Sequence, residues 1–321
     1  NIINKCIFKL KKNAFFFLIK EFIIHLINMK KVFLLFLLCF YWNALANIPY
    51  YFQDYPYYQQ ISIVDKSNFQ MKTFRYHNNE FKEIFNKKIA TGKNKGNKLK
   101  EGDEKTPEGI YFTQKFLDPK QLKKEYGSLS NIYGTGAWTL NYPNIIDQKV
   151  YKKTGTGIWI HGTNDPKRID EQFSSRGCVV LNNNDFNEFS QIHQKPHPVI
   201  INHSIEYLES NEVSEVLKFL SKWKTDWEME TDSYFSHYLS SIDYKKQMFL
   251  TRDQIQVAID NINIMKHRDY YQVNFIQYYK DSLLSDTGFK TLYISKENNK
   301  FQILEEQWID LKVFDKTLKA Q

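Results

Sequence analysis

The sequence predicts a two-domain chain, a mainly β first domain followed by an α+β second domain. Three observations carry this reading. Eleven of the twelve glycines lie between Gly92 and Gly177, and all eight prolines fall at or before Pro198. After Pro198 the only glycine is Gly288, so the building material changes. Short apolar runs with Gly-rich turns fill the first part, the pattern of a sandwich or small barrel-like β domain. Beyond it, Val213, Val216, Leu217, Leu220, Trp223 and Trp227 recur every three or four residues, one apolar stripe of a helix. The boundary falls near residues 205–212, a polar and acidic segment.

The start of the chain reads as a processing signal. Residues 1–28 precede the first methionine, Met29, and look like a non-native upstream extension. Lys30 and Lys31 then lead into an apolar run of eleven residues, 32–42, and Ala44-Leu45-Ala46 supplies the small residues of a cleavage site. A spanning helix needs about 20 apolar residues, so residues 29–46 are expected to be a cleaved signal peptide. Removing the net +6 of residues 1–46 brings the formal charge from +8 to +2 over 275 residues. That balance excludes the basic surface of a nucleic-acid binder. The same cut removes Cys6 and Cys39 and leaves Cys178 alone, an exported thiol with no internal partner.

In the first domain, Ile61-Ser62-Ile63-Val64 forms a short strand, and Phe69, Met71 and Thr73 alternate with polar neighbours. His77-Asn78-Asn79-Glu80 is a turn between this strand and the next. A polar stretch opens at Thr91-Gly92-Lys93 and closes at Thr106-Pro107-Glu108-Gly109, before the strand Ile110-Tyr111-Phe112. Gly155-Thr156-Gly157 precedes Ile158-Trp159-Ile160, which delivers His161-Gly162 at its end. In the second domain a second helix is expected over residues 252–264, with Thr251 and Asp253 as capping residues. Strands follow over 270–279, 288–295 and 301–304, the last after an Asn298-Asn299 turn.

The chemistry concentrates at two residues. A thiol attacks as its thiolate, and a neighbouring imidazole is the common route to that form. His161 ends an apolar strand, while Cys178 stands in Ser174-Ser175-Arg176-Gly177-Cys178-Val179. Gly177 removes bulk before the sulfur and frees the backbone to aim N–H groups at an oxyanion. Trp138 and Tyr142 precede the His161 strand and are candidates to line a substrate cleft. His193, His197 and His203 have metal-like spacing, but Pro196 and Pro198 interrupt the helix that would present the first two rings together. No metal or cofactor is assigned, and no phosphate-cradling loop is present.

A strand-borne His-Gly followed by Ser-x-Gly-Cys-Val resembles the L,D-transpeptidase (YkuD-type) catalytic domain. Thr91-Gly92-Lys93 and Thr106-Pro107-x-Gly109 resemble its upstream markers. The resemblance implies a YkuD-type β-sandwich over residues 61–205, with Cys178 as nucleophile, His161 as base and the Gly162 carbonyl orienting the imidazole. It places Ser175 and Gly177 at the oxyanion loop. Typical members carry arginine two residues after the cysteine, where this chain has Val180; Arg176 is a substitute charge for a substrate carboxylate. A Trp-rich helix and a curved meander over residues 213–321 resemble an NTF2-like domain. The pairing is similar to the cell-shape-determining L,D-carboxypeptidases of helical Gram-negative bacteria. That similarity implies a periplasmic hydrolase that trims D-Ala from tetrapeptide stems of peptidoglycan, and a homodimer contact through residues 47–60. Two alternatives stay open: a transpeptidase forming 3–3 cross-links or attaching amines to stems, and a non-catalytic cell-wall binding module.

Overall fold

The computed structural model describes residues 48–239 and 253–313. The expected upstream extension and signal peptide, and the capping residue Thr251, lie outside the described residues. The strands in chain order are β1 (Tyr50–Phe52), β2 (Gln60–Asp65), β3 (Gln70–His77), β4 (Glu80–Lys88) and β5 (Thr91–Gly92). Then come β6 (Gly109–Leu117), β7 (Ala137–Leu140), β8 (Trp159–His161), β9 (Phe173–Ser175), β10 (Val179–Val180) and β11 (Pro198–Asn202). Four helices fill the connections of this first lobe: α1 (Pro119–Tyr126), α2 (Ile145–Lys149), α3 (Lys167–Glu171) and α4 (Asn183–Ile192).

Eight of these strands form one sheet, in the order β10-β8-β7-β6-β11-β2-β3-β4, and β5 pairs with β9 beside it. The lobe is mainly β, as expected. Strands β2 and β11 are buried along their whole length, and both are apolar-rich because neither has a solvent face. Strand β3 lies partly open and alternates, with Met71 and Thr73 turned inward. Asn78 and Asn79 make its turn to β4 with φ of 51° and 63°, a conformation asparagine tolerates. Helix α4 lays Phe186 and Phe189 on a core shared with Val64, Met71, Tyr111 and Ile160.

The second lobe holds α5 (Ser210–Glu228), β12 (Gln256–Lys266), β13 (Tyr271–Lys280), β14 (Ser285–Glu297) and β15 (Lys300–Asp310). Glu209 and Glu212 cap α5 reciprocally. The predicted stripe faces inward: Val216, Leu220 and Trp223 pack with Val273, Phe275, Leu292 and Ile294 from the meander. The Trp223 indole N–H also donates to the Tyr238 hydroxyl at 3.1 Å. Strand β1 adds to the free edge of β12, with Tyr50 opposite Met265 and Phe52 opposite Asn263. The segment assigned to a dimer contact thus docks on its own chain: the Tyr50 hydroxyl bonds Asn263, and the Asn274 amide donates to Tyr58 at 2.9 Å.

The helix expected over 252–264 is instead strand β12. A register shift between Asp260 and Asn263 inserts a bulge, with Asn261 at φ 49°. Ahead of the bulge, Ile255 and Val257 are buried between exposed neighbours, the two-residue alternation of a strand, so a capping residue type at Asp253 did not decide the structure.

The two lobes share a core. Ile61, Ile110, Ile146 and Ile200 of the first meet Met265, Tyr270 and Tyr293 of the second. The Tyr270 hydroxyl accepts from the Ile110 N–H at 2.9 Å. Arg268 reaches the buried Glu108 carboxylate at 3.1 Å.

Trp223 is fully buried. Trp223→Ala is expected to destabilise the protein by about 3–5 kcal/mol through cavity formation, read as a shift in the urea midpoint; an unchanged midpoint contradicts this account of the second core.

Candidate active site

The site rests on strand pairing. Strand β10 runs parallel to β8, with Val179 opposite Ile160 and Val180 opposite His161. Ala90 bridges Val180 on its other side, and the Lys93 N–H donates to Ser175 O at 2.8 Å. Cys178 therefore leaves a turn clamped on both flanks. Gly177 is required there: its φ is 123°, and a Cβ would stand 2.8 Å from Lys105 O and 2.9 Å from Ile158. The Ser175 hydroxyl closes the turn, donating to Cys178 O at 2.7 Å and accepting from the Gly177 N–H at 3.1 Å.

His161 and Cys178 open into one cleft of about 790 Å³, whose wall also includes Tyr133, Arg168, Arg176 and Lys98. His161 is 2% exposed. Its Nδ1 meets Gly162 O at 2.5 Å. A carbonyl only accepts, so Nδ1 carries the proton and Nε2 presents its lone pair. The ring of Tyr133 stands edge-on to the imidazole at 5.0 Å. Burial lowers the His161 pKa to about 4, opposed by the Gly162 hydrogen bond and reinforced by Arg168. The imidazole is neutral at neutral pH, as a base must be.

Cys178 is partly exposed at the cleft, and its thiol donates to Gly157 O at 3.5 Å. Burial raises its pKa, while the Trp159 N–H and the charges of Arg168, Arg176 and Lys98 pull it down. The net direction is upward. The resting pair is thus thiol and imidazole rather than an ion pair.

The other expected site residues divide. Arg176 is exposed on the cleft wall. Ser175 lines the cleft as well, but its hydroxyl and the Gly177 N–H are bonded to each other and shape the turn. Trp138 and Tyr142 do not line the cleft. Trp138 stacks on His193 at 3.8 Å and donates to Ser190, and buried Tyr142 donates to Thr154 O at 3.1 Å. Both were turned inward by the sheet they belong to or follow. His193 and His197 stack at 4.7 Å and bond Thr113 and Ser62. Sequence reasoning missed Tyr133 and Arg168. Neither sits in a motif, and each reaches the cleft only when loops on separate strands close around it.

Among known families, residues 59–201 match the L,D-transpeptidase catalytic domain (YkuD), and residues 215–307 match the Cds6 C-terminal NTF2-like domain. Among solved structures, the chain is similar to the helical cell shape determining protein Pgp2 from Campylobacter jejuni. The two are 27% identical with a TM-score of 0.66, covering 82% of this chain and 94% of that one. It is also similar to Bd1075 of Bdellovibrio bacteriovorus, at 27% identity and a TM-score of 0.63, covering 79% of this chain and 93% of that one. Comparison with curated protein sequences gives no match. The first lobe belongs to the YkuD family of L,D-transpeptidase catalytic domains, and the second lobe is a Cds6-type NTF2-like domain.

Proposed function

We propose that the protein is a cysteine-dependent peptidoglycan L,D-carboxypeptidase that removes terminal D-Ala from tetrapeptide stems. The observation that carries the reading is the shared cleft of Cys178 and His161, with Nδ1 tied to Gly162 O and Nε2 left for the proton. Similarity along 82% of the chain to a helical cell shape determining protein supports a cell-wall substrate. We also assign the protein to the periplasm, on the pattern of residues 29–46.

In the proposed cycle the thiol turns from Gly157 O and gives its proton to His161 Nε2 as sulfur attacks the carbonyl of the stem's third residue. The Cys178 backbone N–H is the oxyanion donor we assign. The carbon–nitrogen bond then breaks, and the imidazolium protonates the departing D-Ala amine. Water, deprotonated by His161, hydrolyses the thioester and returns the thiol. If an amine of a second stem reached the thioester first, the product would be a cross-link.

Incubation with muropeptides distinguishes these outcomes. Tripeptide stems and free D-Ala are expected, whereas 3–3 cross-linked dimers would establish transfer instead. Binding without any change would establish a non-catalytic module. Cys178→Ala is expected to lower product release by at least about a thousandfold with its circular dichroism unchanged.

The pH profile follows from the two shifts. His161 accepts a proton only when neutral, and its pKa near 4 keeps it so above about pH 5. The acid limb of kcat/KM should therefore fall through about pH 4, not through the ordinary histidine value. Alkylation of the free enzyme by iodoacetamide should be slow at about pH 7 and rise beyond the free-thiol range. A rate already at plateau at about pH 6 would reveal a resting ion pair and contradict this scheme.

A further inference from the structure

Among the described residues, the three buried lysines of the first lobe are each paired with a carboxylate. Lys66 meets Glu108 at 2.9 Å, Lys98 meets Asp103 at 2.8 Å, and Lys153 meets Asp147 at 2.7 Å. Arg168, half-buried on α3 and part of the cleft wall, has no carboxylate within salt-bridge distance among the described residues. Its guanidinium instead donates to Ile132 O at 3.3 Å, Thr163 Oγ1 at 3.4 Å and Ser174 O at 3.4 Å. These three acceptors come from separate segments, so they fix the plane of the fork. Each contact is long and neutral, and the nearest acids, Asp165 and Glu171, act on the guanidinium only through space, without an ion-pair contact.

An oriented, partly desolvated guanidinium beside a nucleophile is a receptor for a planar anion. No arginine stands behind the sulfur, since position 180 is a fully buried valine. Arg176 is on the same wall but is exposed and without such anchors. The substrate's own anion nearest the scissile carbonyl is the carboxylate of the residue that leaves, one residue away.

We propose that Arg168 determines specificity by binding the free α-carboxylate of the departing residue, so that the cleft measures the end of the stem. This rests on the carboxypeptidase reading. A stem that continues, or ends in an amide, offers no anion at that point and leaves Arg168 without an ion-pair contact.

The test is binding of a tetrapeptide stem and of its carboxy-terminal amide to the full chain carrying Cys178→Ala, which removes turnover. The carboxylate form should bind about 10- to 100-fold more tightly than the amide. Adding Arg168→Ala should erase that preference while affinity for the amide stays the same; Arg168→Lys should restore part of it. Equal binding of the two peptides before the arginine is changed would overturn the proposal. So would equal loss of both after it, the mark of a structural role, or a preference that instead disappears with Arg176→Ala. The products of the unmodified enzyme judge the carboxypeptidase reading separately: cross-linked dimers would remove that reading while a carboxylate preference lost with Arg168 would stand.

Discussion

Two residues of strand, Val179–Val180, anchor the turn that carries the sulfur to the strand that carries the imidazole. Because side chains alternate along a strand, a slip of one position would turn the residues around Cys178 to the opposite face. Ala90 on one side and His161 on the other prevent the slip by pairing with Val180. Leu181 then donates to His161 O at 2.9 Å and continues the chain into α4. The placement of the proposed pair is thus a property of the sheet's edge, and the turn through Gly177 adapts to it.

Electrostatics complete what pairing begins. The loop between β5 and β6 forms one wall of the cleft, and buried lysines hold it from behind. Lys66 donates to Gly96 O and Thr106 O, and Lys153 donates to Glu108 O. Lys98 and Asp103 close the loop on itself. Removing one partner of such a pair would strand a buried charge, a heavier loss than the pair's net contribution. Arg268 extends this network into the second lobe through Glu108, so the NTF2-like domain braces a wall of the cleft.

The two residues proposed to react stand out in the sequence because they sit in short, dense motifs. His161-Gly162 and Ser175-Arg176-Gly177-Cys178 keep their meaning whatever surrounds them. The helix stripe was legible too, since α5 has one buried face and no interruption. Strand β12 was misread because capping residue types were given more weight than the alternation of Ile255 and Val257 with exposed neighbours. Trp138 and Tyr142 are near the site in sequence, yet the inward faces of the sheet claim them. Arg168 and Tyr133 gain their place from tertiary closure, which no local pattern encodes.

Strand β1 has a different consequence. Its tyrosine Tyr50 contacts Asn263 across 213 residues of sequence, and Gln53 N and Pro49 O add backbone bonds to the same edge. The accessory sheet is finished by the front of the polypeptide, with the whole catalytic lobe threaded between. During synthesis that ribbon must wait, unpaired, until nearly everything else has emerged. An excised rear module would expose a bare, sticky margin of β12. The accessory unit is best regarded as a clasp fastened from both ends of the chain, not as a detachable appendage.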